Sequence, residues 1–311
     1  MEYLKGTTEF NIEEDSVVTL GKFDGIHRGH KKLLDKVKEL AGARLKTIIF
    51  TFAIHPQTFF CGEKPKVLMT NKERYEFLVK EKFDYLIECP FVEKIASMEP
   101  EDFVEEILIK QLKAAHVVVG TDFRFGHDRR GNTDTLKKYE KLGCFQVHVL
   151  NKETYEKKDI SSTYVRSEVE MGRMEEVQLL LGRPYTITGE VEYGRQLGRT
   201  LGIPTMNIMP ADNKLLPPYG VYFTRTVIEG VSYAGVTNIG CKPTIGEQLK
   251  RGVETHLFDF SGDLYGEILT VELYKYERPE MKFKDVQQLK EQMEKDIQKA
   301  RNYNFEGSGV E

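Results

Sequence analysis

Two histidines three residues apart, His27 and His30, stand inside the phrase Gly21-Lys22-Phe23-Asp24-Gly25-Ile26-His27-Arg28-Gly29-His30. The apolar run Val17-Val18-Thr19-Leu20 before it reads as a buried strand. After it, Leu33, Leu34, Val37, Leu40 and Ala41 recur on one helical face, and Gly42 supplies a stop. A strand, a glycine-rich turn and a helix start leave backbone N–H groups free at the positive end of a helix dipole, which makes a seat for phosphate. Gly21, Gly25 and Gly29 let the backbone come close to a ligand, and Phe23 and Asp24 share their turn. Imidazoles at this spacing can face one ligand. Over a phosphate they would stabilise charge on a reacting phosphoryl group.

A second stretch suited to phosphate is Gly194-Arg195-Gln196-Leu197-Gly198-Arg199-Thr200-Leu201-Gly202-Ile203-Pro204-Thr205-Met206-Asn207. Gly194, Gly198 and Gly202, with Arg195 and Arg199, suit a loop that wraps polyphosphate with amides and positive charge. It lacks the Gly-Lys-Ser/Thr ending of a Walker loop. Thr205 and Asn207 face the same way on an extended segment, and Met206 faces the other. Two neutral oxygens on one face suit Mg²⁺ that takes its other ligands from water and phosphate. Elsewhere, Ser161, Ser162 and Thr163 offer hydroxyls at another helix start, and Arg166 one turn later supplies a fixed cation. Phe123 and Phe125 beside Gly126 can wall a flat ring. Asp122 can accept from a ring N–H or help hold a metal.

The elements needed to position these residues fall into two patterns. Up to Gly182, apolar runs at Val17–Leu20, Thr47–Phe52, Tyr85–Ile87, His116–Gly120 and Phe145–Leu150 alternate with helical patterns. Thr70 and Glu73 form a capping-box pair, and Pro100 occupies a first-turn position. Alternation of this kind predicts a doubly wound parallel sheet covered on both faces, with ligands beyond the carboxyl ends of its strands. After Gly182 short strands follow at Tyr185–Val191, Val221–Ile228, Val231–Asn238, Val253–Phe260 and Ile268–Tyr276, with Glu229-Gly230 as a tight turn. They predict a small antiparallel barrel. A last helix is expected to be capped from Asp285 and to have Val286, Leu289, Met293 and Ile297 inside. The expected division is 1–182, 183–303, and a frayed tail 304–311.

The 311 residues suffice for two cores, and 40% hydrophobic with 30% charged content is ordinary for a globular protein. A net charge of −4 argues against nucleic acid or an anionic membrane as partner. No apolar run approaches a membrane span, and Met1-Glu2-Tyr3-Leu4-Lys5 lacks a secretory pattern. Cys61, Cys89, Cys144 and Cys241 are far apart, which suits reduced thiols in a cytoplasm.

The phrase around His27 and His30 resembles the first motif of the adenylyltransferase module of bifunctional riboflavin kinase/FAD synthetases. That module is related to the wider His-x-Gly-His nucleotidylyltransferases. Thr51-Phe52-Ala53-Ile54-His55-Pro56, the stretch from Gly120 to Gly131, and Ile160 to Arg166 resemble its later motifs. The family often has Pro where Ile54 stands. The Gly194–Asn207 loop is similar to the riboflavin kinase motif, with Met206 in place of the usual Ala. Asn238 to Gly246 and Val253-Glu254-Thr255-His256 match two more stretches, and Arg278-Pro279-Glu280 matches a flavin-side segment loosely.

The resemblance implies two ATP-dependent reactions, riboflavin to FMN and FMN to FAD, releasing ADP and pyrophosphate respectively. Its implied catalytic residues are His27, His30 and Glu254, with Glu254 taking the proton of the riboflavin 5′-hydroxyl. ATP contacts fall to Gly21, Phe23, Asp24, Gly25, Gly29, Ser161, Ser162, Thr163, Arg166, Gly194, Arg195, Gly198, Arg199 and Gly202. Flavin contacts fall to His55, Asp122, Phe123, Phe125, Arg129 and Arg278, and Mg²⁺ to Thr205 and Asn207. The implied partners are riboflavin, FMN and ATP.

Overall fold

A run that is apolar at every position suits a strand covered on both faces. The computed structural model describes residues 1–53, 65–194, 198, 201–243 and 249–306, and there the early runs are such strands. Its first unit, Met1–Ser161, is built on a sheet of β1 (Glu2–Lys5), β2 (Ser16–Leu20), β3 (Lys46–Phe52), β4 (Tyr85–Cys89), β5 (Ala114–Gly120) and β6 (Gln146–Leu150). The strand order is β1-β4-β3-β2-β5-β6, and every pair is parallel. Successive residues feed different cores. Val18, Ile48, Phe50 and Val117 pack with Phe103, Val104 and Ile107 on one face. Val17, Ile49, Leu86 and Val118 pack with Leu34 and Val37 of helix α1 (Arg28–Ala41) on the other.

Local signals set the helix ends. Gly42 closes α1 at φ 52°. Thr70 and Glu73 make both bonds of a capping box at the start of α2 (Asn71–Lys80). After a single turn at Glu93–Ala96, Pro100 opens a longer helical stretch. Over Phe103–Gln111 that stretch widens to π-type bonding, continued by Leu112 N–H to the Ile107 carbonyl at 2.9 Å. Helix α3 (Thr133–Lys141) precedes β6, and β7 (Thr154–Tyr155) with β8 (Lys158–Asp159) forms a small hairpin.

The chain leaves β2 toward β3 on one side and returns to β5 on the other. The carboxyl ends of β2 and β5 therefore flank the switch point of the sheet, where open α/β sheets bind ligands.

The second unit, Ser162–Glu311, begins with α4 (Ser162–Glu170) and α5 (Met174–Leu181). A closed antiparallel barrel follows: β9 (Tyr185–Glu192), β10 (Met206–Pro210), β11 (Gly220–Ile228), β12 (Val231–Pro243), β13 (Leu249–Leu257) and β14 (Ile268–Arg278). The barrel order is β10-β13-β12-β11-β14-β9. The units divide at Ser161, ahead of the Gly182 change in periodicity, because α5 packs on β9 and β14. Glu229 and Gly230 turn the β11–β12 hairpin at φ 50° and 83°.

Helix α6 (Val286–Arg301) departs from its expected inner face. Val286 is exposed, whereas Asp296 and Ala300 are buried. Asp285 caps Gln288 N–H at 2.8 Å, while the Gln288 side chain accepts from Lys284 N–H at 3.1 Å, one residue outside the expected box. Phe305, expected in a frayed tail, is buried against Tyr274 with the Arg225 guanidinium 4.9 Å from its ring centroid.

Candidate active sites in the two units

The turn after β2 bends through left-handed backbone at Phe23 (φ 49°), Gly25 (φ 82°) and Ile26 (φ 41°). For Phe and Ile this conformation costs roughly 1–3 kcal/mol each. Full burial of both side chains in the α1 core offsets it. His27, 6% exposed, is the N-cap of α1, and its Nδ1 accepts from His30 N–H at 3.3 Å. Its ring also stacks on His30, with centroids 3.8 Å apart and planes 18° apart. Phe23 lies against His30 at 5.1 Å. One imidazole therefore both caps the helix and orients the other. A Cβ at Gly29 would stand 3.2 Å from the His27 ring, so this glycine makes room for the histidine as well as for a ligand.

Lys22, between Gly21 and Phe23 in the first motif, is a further candidate that the spacing alone does not single out. Its ammonium is held below the usual lysine range, first by desolvation and then by the Arg129 guanidinium, with Asp24 opposing. The Gly120–Gly131 loop thus brings Arg129 to bear on the first motif. Asp24, expected at the phosphate, has a structural tie as well. Its Oδ1 accepts from Leu68 N–H at 2.8 Å and Met69 N–H at 3.1 Å, tying down the start of the next segment.

Phe125, expected at the flavin, is instead a core residue. Its ring packs on Phe103 at 5.6 Å and its backbone bridges Gly131. Phe123 stacks on it at 5.4 Å and stays partly open. Asp122 is exposed and paired with Lys152 at 3.1 Å. His55 lies outside the described residues. Ser161 ends the first unit, while Ser162, Thr163 and Arg166 open α4 in the second.

In the barrel the register assembles the site. Glu192 pairs with Asn207, Asn207 with Glu254, and Glu254 with Asn238, across β9, β10, β13 and β12. Directly opposed residues share a face, so these polar groups form one row. The alternate face turns inward: Met206 stands opposite Thr255, and Thr224, Thr237 and Thr255 link hydroxyls at 2.9 and 2.8 Å inside the barrel.

Thr205 donates its hydroxyl to Glu254 Oε1 at 2.7 Å, so the expected metal ligand and the expected base meet. Asn207 is 7% exposed, and a Cβ at Gly194 would overlap its amide. Gly198 accepts from Ile203 N–H at 2.8 Å, and Gly202 turns the loop at φ 77°; Arg195 and Arg199 lie outside the described residues.

His256, again not foreseen as a site residue, donates Nδ1–H to the Pro204 carbonyl at 2.8 Å and so anchors the residue before Thr205. Burial pushes its pKa below the usual histidine range, with Arg301 adding to this and the Pro204 bond and Asp259 opposing. Arg278, expected at the flavin, is engaged elsewhere. Its Nε and Nη2 bind the carboxylate of buried Asp296, the latter at 2.6 Å, which fastens α6 to the barrel.

A parallel sheet with a histidine-capped phosphate turn, and a barrel carrying a carboxylate beside neutral oxygens, define a two-site enzyme of the phosphoryl- and nucleotidyl-transferring class. The FAD synthetase family model matches residues 9–164, and the riboflavin kinase family model matches residues 181–304. The bifunctional riboflavin kinase/FMN adenylyltransferase of Bacillus subtilis is 37% identical over 295 residues, 93% of this chain and 92% of that one. Its counterpart from Listeria monocytogenes is 34% identical over 300 residues, 96% of this chain and 95% of that one.

The chain belongs to the bifunctional riboflavin kinase/FMN adenylyltransferase family. It is also similar to a crystal structure described as a macrolide-efflux protein from Streptococcus pneumoniae. The TM-score is 0.87 at 31% identity, over 97% of this chain and 99% of that one. Among the described residues, no helix is long and apolar enough to cross a membrane.

Proposed function

We propose that this chain phosphorylates riboflavin to FMN in its barrel unit and adenylylates FMN to FAD in its parallel-sheet unit, with ATP as donor in both. The observation that carries this reading is that each compact unit holds its own phosphate-directed cluster, His27–His30 in one and Thr205–Glu254 in the other.

In the kinase step Glu254 accepts the proton of the riboflavin 5′-hydroxyl as that oxygen attacks the γ-phosphorus and ADP departs. The Thr205 hydroxyl orients the carboxylate by donating to one of its oxygens. Thr205 and Asn207 fit Mg²⁺, because they bring neutral oxygens from one extended segment beside a single carboxylate. The ion would neutralise phosphate charge there.

In the adenylylation step an FMN phosphate oxygen attacks the α-phosphorus of ATP and pyrophosphate leaves. No side-chain nucleophile is required, so the work is placement and charge. His30, held by His27, donates to the phosphoryl oxygens, while Lys22 and Arg129 supply positive charge. Each well-aimed donor is worth about 2.7–4 kcal/mol by analogy with oxyanion holes.

The cytoplasm, with ATP and reduced thiols, is the proposed setting; Cys89 and Cys144 are free thiols. Incubation with riboflavin, ATP and Mg²⁺, followed by separation of the flavins, is expected to give FMN and then FAD. Absence of both products would refute the reading.

A further inference from the structure

A buried charged cluster lies beneath the phosphate turn. Arg74 of α2 and Glu88 of β4 are 5% and 3% exposed and form an ion pair. Tyr3 of β1 donates its hydroxyl to the same carboxylate, and burial together with Glu88 raises the Tyr3 phenol pKa. Asn71 completes the group: its Oδ1 accepts from Arg74 Nη2 at 3.1 Å, and its Nδ2 donates to Glu88 Oε2 at 3.2 Å.

Among the described residues, two side-chain bonds leave the cluster, and both end on backbone carbonyls of motif segments. Arg74 Nη1 donates to the Lys22 carbonyl at 3.3 Å, where Thr51 Oγ1 also donates at 3.3 Å. Asn71 Nδ2 donates to the Ala53 carbonyl at 3.0 Å. Lys22 adjoins the left-handed Phe23, and Ala53 is the first residue after β3. A buried ion pair is by itself a weak stabilising device, since an apolar replacement of similar volume is often as stable. The distinctive output of this one is two directed bonds to carbonyls on two different strands' exits.

We propose that Arg74, Glu88 and Asn71 are positioning residues for adenylyl transfer, with Glu88 orienting the other two so that they set the Lys22 and Ala53 backbones relative to each other. The inference rests on the reading of the parallel-sheet unit as the FMN adenylyltransferase. Arg74→Lys keeps the charge against Glu88 but loses the guanidinium fork. Asn71→Ala removes the tie to Ala53 and leaves a good helix former at the start of α2.

Full-length wild type and both variants are assayed for FAD formation from FMN, for FMN formation from riboflavin, and for thermal unfolding. A misplacement of the turn is expected to lower kcat for FAD formation by about 10-fold or more in each variant. Riboflavin kinase turnover should stay at the wild-type level. If Arg74→Lys loses both activities, Asn71→Ala decides. Wild-type kcat for FAD formation in both variants, even with a lowered melting temperature, overturns the proposal. A wild-type chain that makes FMN but no FAD overturns the underlying reading instead.

Discussion

The two sites are assembled by opposite means. In the first unit the histidine pair comes from one unbroken phrase: a strand ends, the backbone bends through strained dihedrals, and the N-cap of α1 stacks on its neighbour a turn later. In the barrel the Gly194–Asn207 phrase supplies only part of the site. Glu192, Asn207, Glu254 and Asn238 come from four strands and meet only because the register aligns them. A local site should fail when its backbone or its ring pair is disturbed. A register-built site should tolerate changes between strands and fail when one strand's side chain is removed or displaced.

The sharpest way to separate the two is Glu254→Gln, which keeps shape and removes the base. Turnover of riboflavin to FMN should fall about 10³-fold, within the range for general-base removal. FAD formation from added FMN should be unaffected, and a parallel loss of both activities would break the claim of independent sites.

His30→Ala reverses the pattern. FAD formation should drop about 10²- to 10³-fold, the loss expected of one charge-stabilising donor, while FMN formation persists. Circular dichroism should show α1 intact, because the cap belongs to His27.

A smaller effect is expected from Gly194→Ala, whose added Cβ would overlap the Asn207 amide. Displacing that amide should raise the Mg²⁺ concentration required by the kinase about 10-fold, through misplacement rather than lost chemistry. A titration of kinase rate against Mg²⁺ checks it.

The smallest effect is on stability, and both units share it. His256 in the barrel and His148 in the parallel-sheet unit have folded pKa values below 6.5. Burial is the leading cause for each; His116, 3.1 Å from His148, adds to the second. The unfolded chain then binds more protons than the native one around pH 6.5 and below. Stability is full above the unfolded value and declines as pH falls from about 6.5 toward the lower folded values. Melting temperatures measured from pH 8 to pH 5 should show this decline, and His256→Gln should flatten the barrel's share of it.

Much of this was readable from residue order because the signals are local. Five of the six sheet strands carry apolar cores such as Val17–Val18, Ile48–Phe50, Leu86–Ile87 and Val117–Val119 at their expected places, and the Thr70–Glu73 box forms both of its bonds. Strand β1 escaped notice because Glu2–Lys5 is short, and its half-buried sides are lent to it by β4. Strand β10 looked like the end of a glycine loop, since Met206–Pro210 becomes a strand only by pairing with β9 and β13. Phe125 and Arg278 were assigned to the flavin because an aromatic and a cation near a motif look alike whether they face a ligand or a core. In the fold Phe125 packs on Phe103 and Arg278 pairs with Asp296, contacts that no short stretch foretells.

What residue order determined by itself is the sequence-local machinery: the phosphate turn, the helix caps, the alternation that separates sheet from barrel, and the presence of each motif. These depend on dihedral preferences and hydrogen bonds reaching only a few residues along the chain. Only the tertiary structure decided which polar groups meet: Thr205 with Glu254, His256 with Pro204, and Arg74 with both Glu88 and the Lys22 carbonyl. Those meetings follow from strand order, register and burial, which arise from the whole chain excluding water and which no short stretch encodes.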